Sequence, residues 1–318
     1  MPFFNRETEG DEVVKAYPEQ FQGKNIVITG TSEKGLGAKT ATTIAIAKPA
    51  HLVLLARSKS KVQPVIDQIG KISPESKATF VPILLDDLVS VRSAADEVIK
   101  VLGGSGAKID ILINNAGIMA VPFAKSKQGF ESQFAVNHLG HFVLTQKLIP
   151  LIKAAGPNAR VVNLTSDGYR VGPFRPDNIN FDDGKTYHPF LSYAQSKTAN
   201  ILFTKGLARR GINSLAVHPG VIYGTSLGEG LDWTIIESLG DLAKRETGEN
   251  FPFEAPKSIA QGVATTVLAA AEPELLSQSG SFMADCQVEE ARPWARDPAM
   301  VERLWEKSEE LAGEKFVV

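Results

Sequence analysis

The chain has 318 residues, 43% of them hydrophobic, with 34 basic against 36 acidic side chains. That length suits one large α/β domain or two small ones, and the near-neutral balance lacks a basic phosphate-binding footprint, so no nucleic-acid partner is expected. The lone cysteine, Cys286, reads as a buried thiol; the acidic start Glu7–Glu12 is unlike a secretory signal, and no apolar run of roughly 18 to 20 residues offers a membrane anchor, so a soluble, cytoplasmic protein is expected.

From Lys24 onward, short apolar runs alternate with helical patterns. Asn25–Thr29 reads as a buried strand, followed by a glycine turn and a helix through Ala47. His51–Leu55 is a second strand with a helix over Lys59–Ile69, and Ala78–Ile83 a third with a helix over Val89–Leu102. Ile109–Ile113 and a long helix over Phe130–Lys153 follow, then Arg160–Leu164 with a helix over Leu191–Arg210, and a sixth strand at Asn213–Val217. Strands of about five apolar residues alternating with longer helices imply right-handed βαβ units. The expected fold is α/β, a doubly wound parallel sheet of Rossmann type in a single domain, with ligands at the carboxyl ends of the strands. Residues 1–22 read as an N-terminal extension and 23–318 as the domain proper, with 280–318 a C-terminal extension. Residues 167–190 form a polar insertion after strand five, and 221–256 a long connection after strand six; long connections at a strand's carboxyl end usually serve function.

Strand one runs into Thr29-Gly30-Thr31-Ser32-Glu33-Lys34-Gly35-Leu36-Gly37. Such glycines permit a tight turn and close approach of backbone to a pyrophosphate at the next helix N-terminus, although strand-to-helix turns use glycine for conformation alone as well. At the end of strand two, Arg57 stands 20 residues beyond Gly37, where a carboxylate would select NAD and an arginine accommodates the 2′-phosphate of NADP. Lys34 adds a second positive charge, and NADP(H) is the expected cofactor. Tyr193 and Lys197 lie four apart in a helical segment, hence on one face. A phenol with an ordinary pKa near 10 is a poor proton carrier at neutral pH, and a neighbouring ammonium is expected to lower it toward the working range.

The glycine turn Thr29–Gly37, here T-G-x-x-x-x-G-x-G, Asn114-Asn115-Ala116-Gly117 after strand four, and Tyr193-Ala194-Gln195-Ser196-Lys197 occur in the order found in classical short-chain dehydrogenases/reductases. The chain resembles that family from about residue 22 onward. Ala199–Phe203 and the tail from Phe282 through Trp305 resemble its retinol-dehydrogenase-like and WW-domain-oxidoreductase-like branch. The resemblance implies an NADP(H)-dependent oxidoreductase acting on a small hydrophobic carbonyl or alcohol.

It also implies site residues. Gly30, Ser32, Lys34, Gly35, Leu36, Gly37, Arg57, Asp87, Leu88, Asn115, Ala116 and Gly117 would bind cofactor, together with Tyr193, Lys197, Pro219, Gly220, Val221, Ile222 and Thr225. Thr225 falls one residue later than the family's P-G-x-V-x-T pattern places its threonine, and Asp86 stands beside Asp87 as a rival. Ser166 would bind the reacting oxygen, with Thr165 as its neighbour and rival, and Asn137 would hold a water linking Lys197 to solvent. His138 and His141 read as structural rather than metal-binding, so no metal is expected. Tyr223, Leu227, Leu231, Trp233, Ile235 and Ile236 give 221–256 an apolar stripe, read as a substrate lid. A homo-oligomer is compatible with the family, in which monomers also occur. The alternative from another class is a catalytically silent NADP-binding regulatory or scaffold protein on the same fold; a nucleotide-sugar epimerase shares the Tyr–Lys spacing but has a different glycine turn.

Overall fold

The computed structural model describes residues 3–225, 227 and 238–318; of the expected lid stripe, Leu231, Trp233, Ile235 and Ile236 lie outside the described residues. Among the described residues, strands β1 Asn25–Thr29, β2 His51–Ala56, β3 Lys77–Pro82, β4 Ile111–Asn114, β5 Arg160–Leu164, β6 Ser214–Val217, β7 Phe282–Ala284 and β8 Gln287–Glu289 form one sheet in the order β3-β2-β1-β4-β5-β6-β7-β8. Neighbouring strands run parallel as far as β7, and β8 returns antiparallel.

The helices are α1 Gly10–Ala16, α2 Leu36–Ala45, α3 Lys59–Ile72, α4 Leu88–Val101, α5 Ser132–Phe134, α6 Gly140–Ala154, α7 Pro189–Arg209, α8 Leu239–Thr247, α9 Ile259–Gly262, α10 Ala264–Ala271 and α11 Pro298–Ala312. They cover both sheet faces, which is why β2 and β5 are buried at every position. Successive strand side chains point to opposite faces. Val27, Val53, Leu112 and Val161 therefore pack with Val91 of α4, Phe142 of α6 and Leu202 of α7. Ile26, Ile28, Leu52 and Ile113 pack on the other side with Ile44 of α2, Val62 of α3 and Val267 of α10.

The sequence expectation held for the six main strands and their helices, with shifts at the ends. The long helix expected over 130–153 is three pieces, because a π-helical segment, Ala135–Leu139, joins α5 to α6. Helices α1 and α8 to α11 and the short strands β7 and β8 are not among the expected elements. Val13 and Val14 of α1 are fully buried, and α1 packs against α10.

The chain leaves β1 toward β2 on one side and takes β4 on the other. This reversal opens a crevice at the carboxyl ends of β1 and β4, where doubly wound sheets hold their ligands.

Candidate active site

The glycine turn lies at that crevice. Gly30 has φ 74°, and a methyl group on it would come within 2.8 Å of the Ala116 Cα; one on Gly37 would meet the Gly30 carbonyl oxygen at 2.5 Å. Only glycine permits this close packing of the turn on the end of β4. Asn115 fastens it: its Nδ2 donates to the Thr29 carbonyl at 2.7 Å and to the Gly30 carbonyl at 3.3 Å. Helix α2 begins after Gly35 without a side-chain cap, and among the described residues the amides of Leu36, Gly37 and Ala38 have no protein acceptor. Three open donors at the positive end of a helix fit an anionic pyrophosphate. Ser32 lies half-buried in the turn, its carbonyl taking the Gly35 amide at 3.1 Å.

Lys34 (φ 67°) and Arg57, at the carboxyl end of β2, are both exposed. Among the described residues neither has an ion-pair or hydrogen-bond partner. Asp87 caps α4, its Oδ1 accepting from the Val89 amide at 3.0 Å, while Gln128 takes the Leu88 amide at 3.1 Å; Asp86 is exposed. After β6, Pro219 is buried, and the Val221 carbonyl accepts from the Lys257 amide at 2.8 Å. Ile222 and Leu36 meet over Gly262, where an added methyl would lie 2.8 Å from one side chain and 3.2 Å from the other. Thr225 is half-buried in the following bend.

Helix α7 presents Tyr193 and Lys197 toward the same crevice, 3% and 4% exposed. The Lys197 ammonium is 5.5 Å from the Tyr193 ring centroid and donates to the Leu164 carbonyl, at the end of β5, at 3.1 Å. A methyl on Gly117 would lie 3.5 Å from that ammonium and 3.2 Å from Asn137 Oδ1, so β4 brings its last residues beside both. Asn137, in the π-helical segment, takes the Ile118 amide at 2.8 Å and gives hydrogen bonds to the Ile118 carbonyl and Ser196 Oγ, each at 2.9 Å. Both of its amide protons and one lone pair of its oxygen are thereby used.

Ser166 Oγ lies beside the Tyr193 ring, where a methyl on Gly168 would sit 3.4 Å from the one and 2.7 Å from Cε1 of the other, and it accepts from the Gly168 amide at 3.1 Å. Its rival Thr165 is buried and spends its hydroxyl on the Lys197 carbonyl at 2.8 Å. Burial pushes the Tyr193 phenol up to about 12, with Ser166 pulling the other way, and burial brings Lys197 down to about 8. Where the Tyr–Lys pairing leads to the expectation of a lowered phenol, burial raises it instead, and a phenol so raised stays protonated at neutral pH.

Several residues escaped the sequence reading. Gly168 lets the backbone lie against the Tyr193 ring, where a methyl would sit 2.7 Å from Cε1. Thr29 Oγ1 accepts the amides of Asn115 at 2.9 Å and Ala116 at 3.0 Å and gives its own proton to His141 Nε2 at 2.9 Å. His141 Nδ1 bonds the Asn137 carbonyl at 3.0 Å. His141 is structural, as expected, but what it joins is the glycine turn and the π segment. Burial holds its pKa at about 4.

Asp167, His218 and Glu254 bring three ligand-type atoms within 4.8 Å of one another. The Asp167 amide donates to His218 Nδ1 at 3.2 Å, so the ring proton is on Nε2, which faces Glu254 Oε2 at 3.3 Å. With Nδ1 accepting and Nε2 donating, the ring has no lone pair for a cation, and the arrangement is a hydrogen-bonded chain.

Comparison with known proteins bears on the family. Residues 24–175 match the family model for short chain dehydrogenases. The chain is 32% identical over 314 residues to Retinol dehydrogenase 14 of Homo sapiens, covering 93% of this chain and 88% of that protein. It is 32% identical over 307 residues to the WW domain-containing oxidoreductase of Danio rerio, covering 93% and 70%. A crystal structure of a putative uncharacterized protein from Mycobacterium Paratuberculosis superposes with a TM-score of 0.69 at 31% identity, covering 94% of this chain and 96% of that one. The chain belongs to the short-chain dehydrogenase family, in its retinol-dehydrogenase-like branch.

Proposed function

We propose that this oxidoreductase uses NADP(H) to interconvert a carbonyl and a primary or secondary alcohol on a hydrophobic small molecule, with Ser166, Tyr193 and Lys197 as its catalytic residues. The observation that carries this reading is the buried Tyr193 beside Ser166 and the Lys197 ammonium, which stands 5.5 Å from its ring centroid, at the crevice where the glycine turn packs on the end of β4.

NADPH, when bound, supplies the hydride. Ser166 donates a hydrogen bond to the substrate oxygen and stabilises the charge that develops there. Tyr193, held protonated by burial, gives its proton to that oxygen. Lys197 stabilises the phenolate left behind. Asn137 holds Ile118 and α7 in register beside Lys197, and we assign proton resupply to a water carried between them.

Around Tyr193, Val171, Phe181, Phe190, Leu191, Leu239 and Leu242 form an apolar cluster flanked by Met119 and Phe251. This supports a hydrophobic substrate and a covering role for the 221–256 connection. The open charges of Lys34 and Arg57 support NADP(H) over NAD(H), because a 2′-phosphate offers them a partner that a ribose hydroxyl does not. No described helix is long and apolar enough to cross a membrane, and the single, buried, unpaired cysteine suits the cytoplasm.

The test is a panel of aldehydes, ketones and alcohols followed through NADPH absorbance. Turnover of apolar members, with NADPH preferred over NADH, is expected. Tight NADPH binding with no turnover across the panel would instead favour a regulatory, catalytically silent protein.

A further inference from the structure

Among the described residues, polar ties from the 221–256 connection to the body include Glu246 with Arg175 at 2.8 Å, Glu249 with Arg292 at 2.7 Å and Glu254 with His218 at 3.3 Å. The first two end on the insertion and the C-terminal tail. The third continues inward. His218 is 2% exposed and sits directly after β6. Its Nδ1 accepts the amide of Asp167, the residue after Ser166, at 3.2 Å, and its own amide donates to the Met283 carbonyl of β7 at 2.8 Å. One rigid ring therefore joins the carboxyl ends of β5 and β6 to the last part of the connection. It is followed immediately by Pro219-Gly220-Val221, the segment assigned to the cofactor.

We propose that His218 and Glu254 are positioning residues: they clasp the 221–256 connection to the strand end that carries Ser166 and so fix where the Ser166 hydroxyl meets the reacting oxygen. The inference rests on reading Ser166 as a catalytic residue. Geometry gives the mechanism. Nδ1 can accept from Asp167 only while the ring proton stays on Nε2, and Glu254 is the group that holds it there. The same bond, with His218 as its main cause, keeps the Glu254 carboxyl down at about 2, so the acceptor is ionised and the bond charge-assisted. Loss of Glu254 frees the ring to turn and releases the Asp167 amide. Loss of Glu249 frees the connection equally but leaves the ring in place.

The test compares Glu254→Ala, Glu254→Gln, Glu249→Ala and His218→Phe by two readouts: hydrogen exchange of the peptide spanning Ser166–Tyr169, and steady-state kinetics with separate measurement of NADPH affinity. Glu254→Ala should speed exchange and lower kcat, each by about tenfold, with the NADPH Kd within about twofold of the parent. Glu254→Gln keeps an acceptor oxygen for Nε2–H and should recover to within about threefold of the parent. Glu249→Ala should match the parent in both readouts. His218→Phe should exceed Glu254→Ala in both; if it does not fold, the glutamate series decides alone. The proposal is overturned if Glu254→Ala behaves as the parent, if Glu249→Ala is equally impaired, or if Glu254→Gln gives no rescue. Absence of turnover in the parent would strike the reading of Ser166 instead, and the exchange rates would still decide whether the clasp exists.

Discussion

The two ends of the crevice are built in opposite ways. At the glycine turn polar groups are left open: three amides at the start of α2 lack protein acceptors, and Lys34 and Arg57 are exposed without partners among the described residues. At the Tyr193 end the polar groups are committed and dry, with Asn137, Ser166, Thr165 and Lys197 each bonded to named neighbours. The binding end keeps donors free for a large anion, whereas the chemical end gains its properties from burial, which moves Tyr193 up and Lys197 down. One end is tuned by what it leaves unpaired and the other by what it excludes.

Substitutions should separate the two ends. The largest effect is expected from Lys197→Met, which removes the ammonium beside the phenol: kcat for carbonyl reduction should fall by about a thousandfold in steady-state assays. In the parent, the same group should make the reduction rate decline as pH rises through about 8, because above that value Lys197 loses its charge and cannot stabilise a phenolate. Next comes Arg57→Ala, at the open end. It should lower kcat/KM with NADPH by about ten- to a hundredfold and leave the value with NADH nearly unchanged. A smaller loss, about tenfold in kcat, is expected from Gly168→Ala, whose methyl displaces the Tyr193 ring, with a destabilisation of about 1–3 kcal/mol by denaturant unfolding. Thr29→Val joins the two ends in one test. It leaves the Asn115 and Ala116 amides and His141 without their shared hydroxyl, and should cost about 1–3 kcal/mol of stability with little change in cofactor preference.

What the sequence disclosed follows the same division. Open features are local: the turn Gly30–Gly37, the arginine after strand two and the Tyr–Lys pair one helical turn apart are all read from spacing, and the six main strands from their apolar runs. The dry features are not local. Gly168 matters because α7 lays Tyr193 against it, and Glu254 because it lies near residues 36 and 87 positions earlier in the chain, His218 and Asp167. The sign of the Tyr193 shift was missed for the same reason, since burial is a property of packing that a four-residue spacing does not report. The short strands β7 and β8, of three residues each, are held by β6 rather than by any pattern of their own.

The central claim is that a buried phenol, beside Ser166 and backed by Lys197, delivers the proton. Tyr193→Phe, assayed for turnover and for NADPH affinity on the same preparation, tests it most directly. The account predicts a loss of turnover of more than about a thousandfold with the NADPH Kd within about threefold of the parent. Turnover persisting within about tenfold of the parent would contradict it.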